Sequence, residues 1–198
     1  MRRKYLRRGF TLIELLIVVA IIAILAAIAI PNFLEAQVRS KVSRSKADMR
    51  TLATALESYA VEHTKYPIDG SRPSDGSLFW YVPNAITTPI AFISSARIVD
   101  PFRIAITGTP VGYRRYRYRN FSYTYGAVKA GVYETIYGAW ELMGNGPDRS
   151  AGPFIYKTMS GHTMELTLPY DPTNGTVSAG NLIRSQRYTE GMAPVWGP

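Results

Sequence analysis

An uninterrupted apolar segment near the start of the chain restricts its fold more than any other feature. Residues 10–30 read FTLIELLIVVAIIAILAAIAI, and Thr11 and Glu14 are the only polar residues among these 21. A helix needs about 20 residues to cross a bilayer. In lipid, only a helix satisfies every backbone N–H and C=O group of a single segment. The sequence therefore predicts one transmembrane helix over residues 10–30.

Basic residues are concentrated ahead of this segment. Five of the 23 lysines and arginines lie within the first eight positions, and the remaining 18 stand against 14 acidic residues in a chain of net charge +9. Most of the basicity therefore concerns membrane targeting rather than a nucleic-acid partner. A signal peptide has the same order, but its apolar part usually spans about 7–15 residues. A signal anchor and a cleaved signal peptide stay open as alternatives.

Glu14 is the feature that those alternatives do not explain. A carboxylate in a membrane helix costs about 2.5–3.5 kcal/mol near the bilayer centre and less toward the interface, so such a residue usually has a partner. Residues 10–30 contain no lysine, arginine or histidine. The nearest candidate partner is a free α-amino group at Phe10, which would exist only if the chain were cut before that residue.

The residues around Glu14 resemble a known processing site. Residues 9–16, GFTLIELL, are similar to the cleavage and methylation motif of type IV pilins and type II secretion pseudopilins. The resemblance implies that a prepilin peptidase cleaves between Gly9 and Phe10 and that the new Phe10 amine is N-methylated. It also implies assembly roles for Glu14, which pairs with the Phe10 amine of a neighbouring subunit, and for Pro31, which kinks the helix.

This resemblance further implies a function, a location and a set of partners. We expect a structural subunit of a pilus-like filament, a pseudopilin that supports protein export, rather than an enzyme. The alternative is a minor type IV pilin that acts in adhesion or DNA uptake. The chain would cross the bacterial inner membrane once, with its head in the periplasm, before it enters a filament. Its partners would be pilin-like subunits, the prepilin peptidase and, indirectly, an assembly platform and ATPase.

An amphipathic pattern follows the apolar segment. Apolar residues recur at spacings of three, four and seven positions, which predicts a helix from about residue 32 to about residue 63; they are Val38, Val42, Met49, Leu52, Leu56 and Tyr59. Pro67 ends this helix, because the residue before a proline avoids the α region. We therefore divide the chain into a leader (1–9), a transmembrane helix (10–30), a helical stem (31–64) and a head (65–198).

The head reads as β-structure from residue 112 onward. Tyr116 and Tyr118 alternate with arginines, which predicts a strand with tyrosines inward and arginines outward that continues through residues 121–125 after a bulge or turn. Residues 131–143 and 163–168 are predicted as two further strands. The expected fold class is α+β and pilin-like, with the long helix packed on a small antiparallel sheet. Exposed arginines beside tyrosines are also typical of a DNA-binding surface, although we expect no nucleic-acid partner.

Three short motifs in the head strengthen the pseudopilin resemblance. Residues 65–67 read KYP, residues 100–102 read DPF and residues 144–148 read GNGPD. Major pseudopilins often bind calcium through a late acid-rich loop, whereas this loop offers Asp148 alone, with Asp171 as a further candidate; calcium prefers several carboxylates. We therefore expect no metal or cofactor, with Asp148 as the residue a calcium ion would use. The chain has no cysteine, unlike many type IV pilins.

The cleavage site gives the first testable prediction. Glycine lets the backbone lie extended in a protease cleft without a side-chain clash, so the change Gly9→Leu should block maturation. Mass spectrometry of the membrane-derived protein should then find an unprocessed N-terminus, whereas the wild-type protein should begin at Phe10. An unchanged mature N-terminus in the variant would contradict the prediction.

Overall fold

The computed structural model describes residues 10–69, 81–103, 114–125, 127–150, 154–159, 161–173 and 178–189. The leader predicted over residues 1–9 lies outside these ranges. The chain forms two compact units, Met1–Gln37 and Val38–Pro198. The first unit contains the start of one long helix. The second unit contains the rest of that helix and the strands.

Helix α1, Leu12–His63, contains both the apolar segment and the amphipathic segment. In the second unit it buries one face, because apolar residues recur there every three or four positions. The buried residues of that face are Val42, Ser45, Met49, Leu52, Ala53, Ala55 and Leu56. Val38 and Tyr59 are half-buried against the same core. The predicted apolar stripe is therefore confirmed, and the helix ends at the predicted residue.

A three-stranded antiparallel sheet packs against this face. Its strands are β1, Arg117–Asn120, β2, Trp140–Gly144, and β5, Leu182–Ser185, in the order β1-β2-β5. The sheet residues that join the α1 face in one hydrophobic core are Tyr118, Trp140, Leu142 and Leu182, together with Tyr116 directly before β1. The predicted α+β fold, with a long helix and a small antiparallel sheet, is confirmed.

A second hydrophobic cluster joins two short helices to a hairpin. The helices are α2, Phe121–Thr124, and α3, Ala127–Tyr137, and the hairpin consists of β3, Phe154–Met159, paired with β4, His162–Thr167. Phe121 stacks on Tyr133 with ring centroids 4.9 Å apart, and Leu166 of β4 belongs to the same cluster. The predicted strand over residues 163–168 is confirmed as β4.

Two of the predicted strands are wrong over part of their length. Residues 131–143 form the end of α3, a turn at Gly138 and then most of β2. Gly138 has φ 83°, a conformation that commonly ends helices at glycine. Ala130, Tyr133 and Tyr137 recur at helical spacing and are all buried, so the period is that of a helix and not of a strand. Residues 121–125 do not continue β1, because the strand ends at Asn120 and α2 begins.

Hydrogen bonds centred on Glu57 join α1 to the sheet. Glu57 Oε1 accepts a hydrogen bond from Trp140 Nε1 at 3.0 Å, and Oε2 accepts one from the Tyr66 hydroxyl at 2.8 Å. Gln186 Nε2 donates to the same hydroxyl at 2.7 Å. Burial and the Glu57 carboxylate raise the pKa of Tyr66 to about 12. Glu57 therefore joins the end of α1 to β2, and the tyrosine of the KYP motif joins it to the residue that follows β5.

The contacts of Glu57 give a stability prediction. Glu57→Ala removes the acceptor of the buried Trp140 N–H, so we expect a loss of about 1–3 kcal/mol in the free energy of unfolding. Denaturant unfolding of the full chain in detergent measures this loss. The control is Glu62→Ala, an exposed glutamate on the same helix, which should change stability by less than about 0.5 kcal/mol. Equal losses of unfolding free energy in both variants would show that the Glu57 hydrogen bonds do not stabilise the fold.

Candidate functional site

The start of α1 presents its apolar side chains to solvent. Phe10 is 74% exposed. The other exposed large apolar residues of this segment are Leu12, Ile13, Leu15, Leu16, Ile17, Val18, Val19, Ile21, Ile22, Ile24, Leu25, Ile28, Ile30, Phe33 and Leu34. By length and composition, α1 is able to cross a membrane. An apolar surface of this size in water is unfavourable, so the segment needs lipid or other protein around it.

Glu14 closes the first turn of α1 together with Thr11. Glu14 Oε2 accepts hydrogen bonds from the Thr11 backbone N–H at 2.8 Å and from the Thr11 hydroxyl at 2.7 Å. In return, the Glu14 backbone N–H donates to Thr11 Oγ1 at 3.3 Å. This is the reciprocal capping box of a helix N-terminus. Both bonds to the carboxylate use Oε2, so a carboxylate held in this way still presents Oε1 to a group from outside the chain.

Thr11 is the residue that sequence reasoning missed. The signal was available, because a threonine three positions before a glutamate and directly ahead of an apolar run predicts a capping box. The structure brings Thr11 and Glu14 together at the start of α1, and Phe10 directly precedes them in the chain. Pro31 lies inside α1, which continues through it. Gly9 lies outside the described residues, and Asp148 lies in the second unit.

Two head motifs meet at a buried carboxylate. Asp100 is 1% exposed, and it accepts hydrogen bonds from the backbone N–H groups of Phe102 at 2.9 Å and Asn145 at 2.7 Å. Asn145 in turn accepts a hydrogen bond from Arg117 Nη2 and donates one to the Arg149 carbonyl, both at 3.0 Å. Burial raises the pKa of Asp100, while these N–H groups and two nearby arginines oppose the rise. The DPF and GNGPD motifs thus form one hydrogen-bonded structural unit.

The second glycine of GNGPD is required by close backbone packing. A Cβ atom at Gly146 would lie 1.9 Å from the Gly180 carbonyl oxygen, and a Cβ atom at Gly180 would lie 2.0 Å from the Pro169 carbonyl oxygen. Real Cβ atoms do not approach other atoms this closely. Only glycine lets these three backbone segments touch, so the motif serves packing at this position.

The head arrangement gives little support to a calcium site. Among the described residues, no three histidine or acidic side chains lie together as metal ligands would. Asp148 Oδ1 accepts a hydrogen bond from the Ser150 backbone N–H at 3.2 Å. The hydroxyl and backbone N–H of Thr173 lower the pKa of Asp171, whose Oδ1 accepts both hydrogen bonds. Each aspartate is therefore engaged in its own turn.

The arginines of the first predicted strand do not face solvent, contrary to expectation. Arg115, Arg117 and Arg119 are 3%, 8% and 2% exposed. The Arg115 guanidinium lies 5.7 Å from the centroid of the Tyr81 ring, and Arg117 is bonded to Asn145. Burial, helped by the charges of two other arginines, lowers the pKa of Arg117 to about 10. Both faces of β1 are covered, so its arginines form no phosphate-binding surface.

Comparison with known proteins points to the N-terminal segment. Residues 5–30 match the family model described as the prokaryotic N-terminal methylation motif. The chain is 61% identical over 59 residues to the type IV major pilin protein PilA of Myxococcus xanthus, an alignment that covers 30% of this chain and 27% of the pilin. A fimbrial protein of Pseudomonas aeruginosa is 48% identical over 69 residues, which cover 35% of this chain and 44% of that protein.

A type II secretion protein matches to a comparable extent. Core protein G of the type II secretion system of Pseudomonas aeruginosa is 41% identical over 59 residues, which cover 30% of this chain and 42% of that protein. The chain thus aligns with less than half the length of these relatives. No solved structure matches it significantly. The resemblance to type IV pilins and pseudopilins is confirmed, and these names denote structural proteins rather than enzymes.

The carboxylate of Asp100 gives a prediction for the head. Asp100→Ala leaves two buried backbone N–H groups without an acceptor, so we expect a loss of about 2–5 kcal/mol in the free energy of unfolding. The control is Asp148→Ala, which changes an exposed aspartate of the GNGPD motif. It should change the free energy of unfolding by less than about 0.5 kcal/mol. Denaturant unfolding of both full chains in detergent measures this. A larger loss in the Asp148 variant would argue for an ion at Asp148.

Proposed function

We propose that the chain is a subunit of a type IV pilin-like filament and, more specifically, a pseudopilin of a type II secretion-like system that supports protein export. The observation that carries the proposal is an exposed apolar helix with a single acid in its first turn, within a segment that matches a prepilin methylation motif. Such a surface suits two environments in turn, the bilayer before assembly and the helical core of a filament afterwards.

Charge explains how this segment would drive assembly. Cleavage before Phe10 creates an amine that stays cationic after methylation. A lone carboxylate and a lone ammonium are each costly in an apolar environment, and pairing offsets part of that cost. If Glu14 of one copy pairs with the Phe10 amine of the next, the contact joins two different surfaces of identical chains. Contacts of this kind do not close on themselves, so they generate a filament.

Small residues on the same helix support close packing of copies. Ala20, Ala23 and Ala27 recur at helical spacing and are exposed. Small residues separated by three positions let neighbouring membrane helices approach closely. The apolar segment therefore offers both a charge pair that would fix the axial register and a surface for helix contacts.

The head motifs favour a pseudopilin over a pilin. The KYP, DPF and GNGPD stretches resemble those of major pseudopilins, and each contributes to hydrogen bonds that hold the second unit together. The chain has no cysteine, whereas many type IV pilins have a disulfide in the head. Relatives of both kinds match the chain, so the choice between the two rests on these head features.

The proposal includes a location and a route. The chain would enter the bacterial inner membrane with its N-terminus in the cytoplasm and its head in the periplasm. A prepilin peptidase would process it, and an assembly platform with its ATPase would lift it into the filament. The positive-inside rule alone does not decide the membrane orientation, because five basic residues precede the apolar segment and four follow it within residues 39–46. The orientation therefore rests on the family resemblance.

The alternative is a minor type IV pilin that acts in adhesion or DNA uptake. Its main support in the sequence was the arginine–tyrosine alternation around residues 113–119. Three of its four arginines, at 115, 117 and 119, are buried, so these three offer no cationic surface to a phosphate backbone. We therefore favour a role in protein export over one in DNA uptake.

The role of Glu14 is tested by separating its charge from its capping hydrogen bonds. Glutamine also serves at this position of a capping box, so Glu14→Gln keeps the helix cap and removes the charge. We expect normal cleavage at Gly9 but a loss of filament yield of about tenfold or more, the factor that corresponds to about 1.4 kcal/mol per added subunit. Electron microscopy and quantitative blotting of sheared filaments measure the yield, and mass spectrometry measures processing. The Glu14→Ala variant should lose at least as much filament yield.

Glu62→Gln is the matched control, because it makes the same substitution at an exposed position of α1 beyond the apolar segment. It should leave filament yield within about twofold of wild type, since the cost of a buried charge does not apply there. Wild-type yield from Glu14→Gln together with a low yield from Glu14→Ala would mean that helix capping matters and charge pairing does not. That result would contradict the proposed mechanism.

A further inference from the structure

The stem part of α1 holds most of the net charge that remains beyond the predicted leader. Residues 35–54 contain five basic and two acidic residues, which are Arg39, Lys41, Arg44, Lys46 and Arg50, and Glu35 and Asp48. Residues 10–34 and 55–198 together contain 13 basic and 12 acidic residues. Three of the four net positive charges beyond residue 9 therefore belong to one short stretch of helix.

Three of these basic residues form a row along α1. Arg39, Lys46 and Arg50 are separated by seven and four positions, spacings that bring side chains onto one side of a helix. Arg39 and Arg50 are exposed, and Lys46 is half-buried. We call these three residues the cationic row. Arg44, whose side chain is 67% exposed, lies beside the row on the exposed surface of the helix.

Acidic groups offset part of this charge. Asp48 Oδ2 lies 3.8 Å from Arg44 Nε and accepts a hydrogen bond from the Tyr116 hydroxyl at 3.1 Å. Asp171 lines the same groove as Lys46. Arg39 and Arg50, at the two ends of the cationic row, are therefore the residues on which a contact with an external anion would mainly depend.

The shape of this surface favours a planar anionic partner. Arg39 and Arg50 are eleven residues apart, which corresponds to about 16 Å along a helix, so they cannot converge on one small anion. Ser43 and Ala47 are exposed beside the row, and such small side chains let a flat surface approach the guanidinium groups. The same helix is able to cross a membrane by length and composition, which keeps a lipid surface close to the row.

We propose that the cationic row binds anionic phospholipid headgroups of the membrane that holds the chain before assembly. This inference rests on the membrane location given under the proposed function. Each lysine or arginine near an anionic surface makes the contact about fivefold more favourable. The contact keeps the stem on the bilayer surface until contacts within the filament replace it.

Quenching of a fluorophore by headgroup-labelled lipid tests this contact in the full chain. The chain has no cysteine, so Ser43→Cys places one label beside the cationic row. Ser58→Cys is the matched control, an equally conservative change at an exposed position fifteen residues farther along α1. Each labelled chain is placed alone in a nanodisc of phosphatidylcholine, with or without about 30% phosphatidylglycerol as the source of negative charge. Both lipids carry the same fraction of nitroxide-headgroup lipid.

We expect quenching at residue 43 to be at least about fivefold stronger with phosphatidylglycerol than without it. About 1 M NaCl shortens the Debye length to about 3 Å and should remove this difference. Residue 43 is thirteen residues beyond Ile30, or about 20 Å of helix, whereas each headgroup layer is about 5–8 Å thick. The membrane anchor alone therefore does not explain strong quenching there. Residue 58 should be quenched weakly in both lipids.

Charge variants identify the residues responsible. Arg39→Gln combined with Arg50→Gln should lower quenching at residue 43 by at least about fivefold in the anionic nanodiscs. Lys65→Gln combined with Arg97→Gln is the control, because it removes the same charge from two exposed positions outside the cationic row. The control should leave quenching within about twofold of the unsubstituted chain.

Equal quenching at residue 43 in the two lipids, or equal quenching in the two pairs of charge variants, would overturn the inference. Weak quenching together with crosslinks through residue 43 to another protein in native membranes would assign the cationic row to an acidic protein surface instead. A chain that enters nanodiscs without headgroup contact contradicts this inference alone. A chain that does not enter nanodiscs contradicts the proposed membrane location as well.

Discussion

The acid at the start of a long apolar helix restricts the environments in which this segment can be stable. Glu14 is held by the backbone and hydroxyl of Thr11, and apolar residues from Phe10 to Leu34 are exposed around and beyond it. The apolar surface requires lipid or other helices, and the carboxylate requires a partner once it leaves water. In the proposed filament, a neighbouring copy with a new amine at Phe10 would supply both.

The second unit depends on different interactions, because they have to hold a small sheet on one face of the stem. It does so with a hydrophobic core between α1 and the sheet and with polar contacts at the margins of that core. Glu57 anchors Trp140 and Tyr66, while Asp100 joins the DPF and GNGPD motifs. These motifs therefore act by hydrogen bonding and close glycine packing, and no cluster of three histidine or acidic side chains lies among the described residues.

The sequence predicted secondary structure correctly where apolar residues follow a single period. It failed where helical and strand patterns compete. The apolar run and the stripe from Val42 to Leu56 have an unmistakable helical period, so α1 and its buried face were predictable. In α3, tyrosines and valines have high β-propensity, and their helical spacing was read as a strand. The burial of Arg117 could not be read from the sequence, because its partners, a β-bridge to Tyr81 and a hydrogen bond to Asn145, are distant in the chain. Alternation predicts two faces but does not say whether both are covered.

The most direct test of this account is the N-terminus of the mature protein isolated from native membranes, determined by terminal sequencing together with mass measurement. We predict a chain that begins at Phe10 and has one methyl group on its amine, because only this species provides the cation that Glu14 requires. A chain that still begins at Met1 in assembled filaments would contradict the account.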